Sequence, residues 1–247
     1  MVLNKRDSGD FMNRLILEIN EKSGLAKEAY KLVIDDNITI NASDEKGLFY
    51  GVQSLLHLMP AEVYGEQAIK MPSFKLPKLT IFDQPRFEYR GFMVDISRIF
   101  ATKKDLMKII DMMAMHKLNV LHLHLTDDHG WRIEIISYPK LTSVASTGDF
   151  SNPNGPEKYF LTQDEIREII EYAELRHVMV IPEIEMPGHA GAAGRAYPEF
   201  FDGSNAFNPA NPETFIFVEK VMDEIIALFP HHIFISVAMK CLVPQIG

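Results

Sequence analysis

Three short stretches of this chain hold side chains that could do chemistry. Asp95 and Arg98 stand three apart, Asp127-Asp128-His129 run together, and IPEIEMPGH carries Glu183, Glu185 and His189. A planar guanidinium such as that of Arg98 suits a two-bond grip on sugar hydroxyls or on a carboxylate. A histidine beside carboxylates can relay protons or tune a neighbouring acid. Pro187-Gly188 forces a turn that could re-aim His189. Each position also has a plainer role. Asp95 and Arg98 could be a buried ion pair, Asp127 could cap a turn, and His122 and His124, on one strand face, pack in a barrel layer more readily than they bind metal. Zinc held by those two histidines with Asp127 is the physical alternative, although their spacing is no metal signature. No cofactor or metal is expected, because neither a phosphate-cradling glycine loop nor a paired-cysteine site is present.

These residues need a scaffold that brings them to one edge. In Asn119–Arg132, NVLHLHLTDDHGWR, Val120, His122 and His124 alternate with Leu121, Leu123 and Leu125 at the period of a strand. The acids, a glycine and the only tryptophan follow its carboxyl end, where parallel α/β folds place their ligands. The same rhythm recurs. Phe92 to Ile96 is a strand and Lys103 to His116 a helix, with Leu106, Ile109, Ile110, Met113 and Met115 inward. After a polar loop, Ser143 to Lys158, Thr162 caps a helix with Glu165 three residues on, a capping box. Val178 to Ile184 is the third strand, Thr214 to Phe229 a helix and Ile233 to Val237 a fourth strand. Four alternations of strand and helix imply a parallel sheet with right-handed crossovers. Four units are half of an eight-fold barrel.

Residues 1–82 read differently, as a small α+β domain that is N-terminally incomplete. Phe11 to Ile19, Tyr30 to Asp35 and Ile38 to Ala42 are strand-like, and Ser43 caps a helix running to Leu58. Prolines 72, 77 and 85 mark an extended linker into the second domain, 83–247.

At 247 residues and 47% apolar content the chain can bury a sizeable core. A net charge of −9 with no basic block argues against nucleic acid as a partner. No apolar run reaches the ~18 residues of a membrane span. The opening MVLNKRDSGD lacks the apolar core of a signal peptide. A single cysteine, Cys241, excludes an internal disulfide framework.

Taken together, these stretches resemble the β-N-acetylhexosaminidases of glycoside hydrolase family 20. The resemblance is carried by GLFYGVQSLLHLMP at 47–60, YRGFMVDISRIF at 89–100, KLNVLHLHLTDDHGWRIEI at 117–135 and YFLTQDEIREIIEYAELRHVMVIPEIEMPGHAGAAGRAYPEF at 159–200. It implies an α/β chain: a small α+β domain followed by the first half of a (β/α)8 TIM barrel, about four βα units. It also implies a terminal N-acetylhexosamine, on a glycan or chitin oligosaccharide, as the ligand. By resemblance Arg98 holds the hydroxyls of the non-reducing-end sugar, and Asp127 and His189 form a relay toward the general acid. Glu185 supports that relay where the family usually has Asp. Ile99 stands where His is common, and His129 where Gln is common. The family is often secreted, periplasmic or lysosomal.

In this family the substrate's own acetamido oxygen attacks the anomeric carbon, so no enzyme nucleophile is needed. An adjacent Asp-Glu pair ends the fourth strand. Its Asp orients the acetamido group, and its Glu protonates the leaving oxygen and later activates water. That strand usually reads like His-Ile-Gly-Gly-Asp-Glu. Here it reads Phe234-Ile235-Ser236-Val237-Ala238-Met239, with Ala238 and Met239 where the acids belong. Neither side chain can ionise, so the chain as written is expected to be inactive.

The genetic code offers a cause. Residues 233 to 241 can be encoded as ATT TTC ATA TCG GTG GCG ATG AAG TGC. From the third base this reads Phe-His-Ile-Gly-Gly-Asp-Glu-Val, so a slip of one or two bases just before Ile233 would give an out-of-frame ending, Cys241 included. The alternatives are a non-catalytic carbohydrate-binding protein that lost its acids by substitution, and a zinc hydrolase using His122 and His124.

Overall fold

The computed structural model describes residues 14–64, 75–201, 203, 205–231 and 233–236. The chain divides into two compact units, Met1–Glu88 and Tyr89–Gly247.

The first unit is a four-stranded sheet under one helix. Strands β1 (Leu15–Ile19), β2 (Tyr30–Ile34), β3 (Ile38–Ala42) and β4 (Leu79–Asp83) lie in the order β1-β3-β2-β4. β1 runs parallel to β3, and the other pairs are antiparallel. Helix α1 (Glu45–His57) buries Tyr50 and Leu55 against Tyr30, Leu32, Ile34, Ile40 and Ala42. Gly51 permits that approach, since a Cβ there would meet Ile40 Cγ2 at 2.5 Å. Two expectations change here. The helix is capped by Asp44, whose carboxylate accepts from the Gly47 N–H, and Ser43 instead donates to Asp44. Both of its acceptor oxygens make Asp44 the stronger cap. Second, the stretch read as an extended linker contains β4, whose alternating pattern is short and framed by Pro77 and Pro85. Phe11 to Asn13 and Pro72 lie outside the described residues.

The second unit is a parallel sheet in the order β5-β6-β7, built from Gly91–Asp95, Val120–His124 and Met179–Glu183. Helices α2 (Lys103–Met115), α3 (Lys140–Ser143), α4 (Gln163–Glu174), α5 (Gly191–Ala196) and α6 (Pro212–Leu228) complete it. Thr102 and Thr162 start α2 and α4 with capping boxes, closed by Asp105 and Glu165. α2 buries Leu106, Ile110 and Met113, and α4 buries Ile166, Ile169, Ile170 and Ala173. Both share one core with Leu121, Leu123, Val180 and Phe217. Each fully buried side chain of this kind contributes about 1.5–3 kcal/mol. Helix α6 starts two residues earlier than its apolar pattern suggests, because Asn211 caps it and Pro212 occupies its first turn. Of the expected fourth strand, Ile235 forms a parallel bridge with Glu183. Its N–H donates to Pro182 O and its carbonyl accepts from Ile184 N–H. Val237 onward lies outside the described residues. The architecture is therefore the α/β one anticipated: a small sheet domain, then parallel βα units.

Candidate active site

Strand register assembles the site. Asp95 pairs with His124, and His124 with Glu183, so the three end their strands in one row. Beyond that row the chain turns back at each strand end. After β5, the Arg98 backbone N–H donates to Asp95 Oδ1 at 3.0 Å, and its guanidinium pairs with Asp95 Oδ2. After β6, Thr126 and Trp131 bridge across a tight turn in which Asp127 N–H donates to Gly130 O. After β7, the Glu185 N–H donates to the buried hydroxyl of Thr126 at 2.9 Å.

These turns bring Arg98, Asp127 and His189 together. Arg98 Nη2 lies 2.6 Å from Asp127 Oδ2, and His189 Nδ1 lies 3.2 Å from the same oxygen. Asp127 is almost wholly buried, whereas Arg98 and His189 keep part of their surface open. The anticipated Asp95–Arg98 ion pair exists, and Arg98 shares itself with Asp127 as well. Asp127 also accepts from the Asp128 N–H, as a turn-capping residue does. Asp128 leads elsewhere: its Oδ1 accepts from Gly191 N–H at the start of α5. His189 sits at φ +52°, in the left-handed region that costs a non-glycine residue energy. Phe207 N–H to Pro187 O and Ala190 N–H to Asn205 O hold its loop on either side. Ile99 is 57% exposed, and His129 lies against Phe150 with its Nδ1 3.7 Å from Asp127.

The electrostatics are uneven. Burial opposes the ionised form of Asp95, but the His124 imidazole 3.3 Å away and hydrogen bonds from Arg98 hold it well below the usual carboxylate range. Burial lowers His124, and Asp95 more than reverses this. Burial and the neighbouring Glu183 push Glu185 up to about 7, so it holds a proton where an ordinary glutamate is ionised. His122 and His124 face different partners: His122 Nε2 is 2.5 Å from Glu183 Oε2, while His124 Nε2 is 3.5 Å from Glu185 Oε1.

One residue that carries this geometry had no sequence signal. Arg132 is fully buried and, among the described residues, hydrogen-bonds no carboxylate. Nε and Nη2 donate to Ser97 O, and Nη1 donates to Ser146 O and Tyr159 O. It thereby ties the residue before Arg98 to two loops. Gly130 leaves room for it, because a Cβ there would meet the Arg132 guanidinium at 2.0 Å. The expected positions Ala238 and Met239 lie outside the described residues.

Comparison with known proteins identifies the family of the chain. Residues 87–236 match "Glycosyl hydrolase family 20, catalytic domain", and residues 3–84 match "Glycosyl hydrolase family 20, domain 2". A β-hexosaminidase of Porphyromonas gingivalis is 41% identical over 235 residues, covering 88% of this chain and 30% of that protein. The N,N'-diacetylchitobiase of Vibrio harveyi is 42% identical over 187 residues, covering 68% of this chain and 20% of that protein. Among solved structures, the GH20 β-N-acetylhexosaminidase of Streptomyces coelicolor aligns with a TM-score of 0.81 at 34% identity, over 89% of this chain and 46% of its own. An exo-β-N-acetylglucosaminidase of Vibrio harveyi, solved in complex with N-acetylglucosamine, aligns with a TM-score of 0.77, over 87% of this chain and 36% of its own. The chain thus spans less than half the length of these relatives. With both family regions matched in order along almost all of its length, the chain belongs to glycosyl hydrolase family 20.

Proposed function

We propose that this chain carries the sugar-gripping part of a β-N-acetylhexosaminidase site and does not itself hydrolyse its ligand. The observation that carries this is the convergence of Arg98, Asp127 and His189 on one carboxylate oxygen at the strand ends. Arg98 commits N–H groups to Asp95 and Asp127 and is partly exposed. Its remaining donors are free to hold the hydroxyls of a terminal N-acetylglucosamine or N-acetylgalactosamine, on a glycan or a chitin oligosaccharide. Asp127 fixes the His189 ring, the standard way to orient an imidazole that relays a proton. Glu185, which burial and Glu183 push up to about 7, stands 3.5 Å from His124 behind these residues and is assigned to the support of the relay.

In the family's reaction the acetamido oxygen of the substrate closes on the anomeric carbon as the glycosidic bond breaks. A carboxylic acid must then protonate the departing oxygen. Ala238 and Met239 can supply neither that proton nor the carboxylate that steadies the acetamido group. Losing general-acid catalysis alone costs about two to four orders of magnitude. Purified chain incubated with a chromogenic β-N-acetylglucosaminide should release no chromophore above the rate in buffer; measurable release would refute the proposal.

The altered ending is best accounted for by a frame slip just before Ile233. Sequencing the coding DNA tests this directly, since codons that cannot give His-Ile-Gly-Gly-Asp-Glu in the shifted frame exclude it. The competing account is a carbohydrate-binding protein that kept Arg98, Asp127 and His189 while losing its acids. Saturable sugar binding by the purified chain, with an intact frame and no turnover, would favour that account.

A further inference from the structure

At the carboxyl ends of β6 and β7 lies a second cluster. His124, Glu183 and Glu185 are all buried, and each can present a donor atom within 4.8 Å of the others. Their hydrogen-bonding capacity is unmet. Among the described residues neither ring nitrogen of His124 nor Glu185 Oε2 has a hydrogen-bond partner, although both side chains are only 4% exposed. Buried polar atoms in native proteins are nearly always satisfied, so three orphans in one cluster point to a missing partner. The charges are also unbalanced. Arg98 pairs with Asp95 and Asp127, whereas among the described residues no lysine or arginine pairs with Glu183 or Glu185.

We propose that His124 Nε2, Glu183 and Glu185 bind one divalent transition-metal cation of the zinc or manganese class. One imidazole with two carboxylates is a donor set that these borderline and harder ions accept. Bonds of about 2.0–2.2 Å place neighbouring ligand atoms roughly 3.3–3.6 Å apart. The 3.5 Å between His124 Nε2 and Glu185 Oε1 already meets this, and Glu183 needs a small side-chain rotation. Asp95 Oδ1 stands 3.3 Å from His124 Nδ1, close enough to take that proton after a slight ring turn. A carboxylate on the far nitrogen is the usual support for a metal-binding histidine. His122 Nε2, 2.5 Å from Glu183 Oε2, steadies the second ligand. This donor set differs from one built on both histidines with Asp127, because His122 is engaged by Glu183 and Asp127 by Arg98.

The full chain, stripped with a chelator, is titrated with Zn2+ by calorimetry and with Co2+ by visible absorption. One equivalent should bind with a saturable cobalt spectrum. Glu185→Gln should weaken Zn2+ binding more than about a hundredfold, and Asp95→Asn about ten- to a hundredfold. His231→Ala, at a half-exposed histidine beside Glu174, should change nothing. Should the buried variants fail to fold, NMR of the wild-type chain decides, because Co2+ must perturb the His124 ring ahead of the other eight of its nine histidines. Absence of saturable binding, loss of binding in His231→Ala, or a first response at another histidine would each overturn the proposal and leave the cluster sharing protons alone.

Discussion

Replacing Arg132 by methionine tests whether a buried cation without an anionic partner holds the Arg98 turn in place. Two carbonyls, of Ser97 and Tyr159, lose their donor in the variant, while Ser146 O keeps the Tyr159 N–H. An orphaned buried acceptor costs about 1–3 kcal/mol, so two near the middle of that range cost about 4 kcal/mol. The wild type carries an opposing cost. Burial lowers the guanidinium to about 10, worth about 3 kcal/mol of strain on the charged form that methionine removes. Methionine fills a similar volume, so little cavity term is added. The net expectation is a loss of about 1 kcal/mol. Trp131 reports on it directly: it is the only tryptophan, is buried next door, and donates Nε1–H to Ile133 O. Urea unfolding followed by its fluorescence measures the change in the second unit. Arg132→Lys keeps a charge without the fork and should fall between the two. A methionine variant within about 0.5 kcal/mol of wild type would show that the two carbonyls find water, and that Arg132 does not organise the turn.

Two further outcomes follow from the helix starts and the acid titrations. Thr162→Ala removes the hydroxyl that accepts from the Glu165 N–H and should cost about 1 kcal/mol in the same urea assay. Burial pushes Glu224 up, but hydrogen bonds from Ser137, Ile136 and Gln163 outweigh it and hold its carboxyl below the ordinary value. A depressed acid stabilises the fold above its unfolded-state pKa, and the gain is lost as pH falls through the folded value. Glu224→Gln should therefore melt lower than wild type near pH 7, with the gap closing as pH falls below about 4; a gap unchanged with pH would exclude this carboxylate as the cause.

Much of the barrel unit was legible because its signals are local. Thr102-x-x-Asp105 and Thr162-x-x-Glu165 announce helix starts, and HLHL between apolar neighbours announces a strand. What failed to show depends on distant partners. β4 reads as a proline-flanked linker until β2 supplies its ladder, and Asp44 wins the cap over Ser43 because Glu28 N–H also donates to it. Arg132 follows a tryptophan and looks like a surface cation; only the folded loops bring Ser97 and Tyr159 carbonyls to it. For the site, residue types pointed to Arg98, Asp127 and His189, but not to their sharing one oxygen. The raised Glu185 also required the register that sets His124 beside Glu183.

That register also bears on the missing acids. Asp95, His124 and Glu183 form one row, and the parallel bridge from Glu183 adds Ile235 as its fourth member. Counting three residues onward from the row reaches Arg98 on the first strand and Asp127 on the second. On the fourth it reaches position 238, where the family resemblance expects the aspartate that steadies the acetamido group. What differs is then a block rather than a point. Of Phe234, Ile235, Ser236, Val237, Ala238 and Met239, only Ile235 agrees with His-Ile-Gly-Gly-Asp-Glu. Loss of catalysis by substitution needs to change only one or two ionisable residues and has no reason to replace both small glycines as well. A slipped frame rewrites every residue after it and leaves only chance matches, which accounts for five changes in six positions.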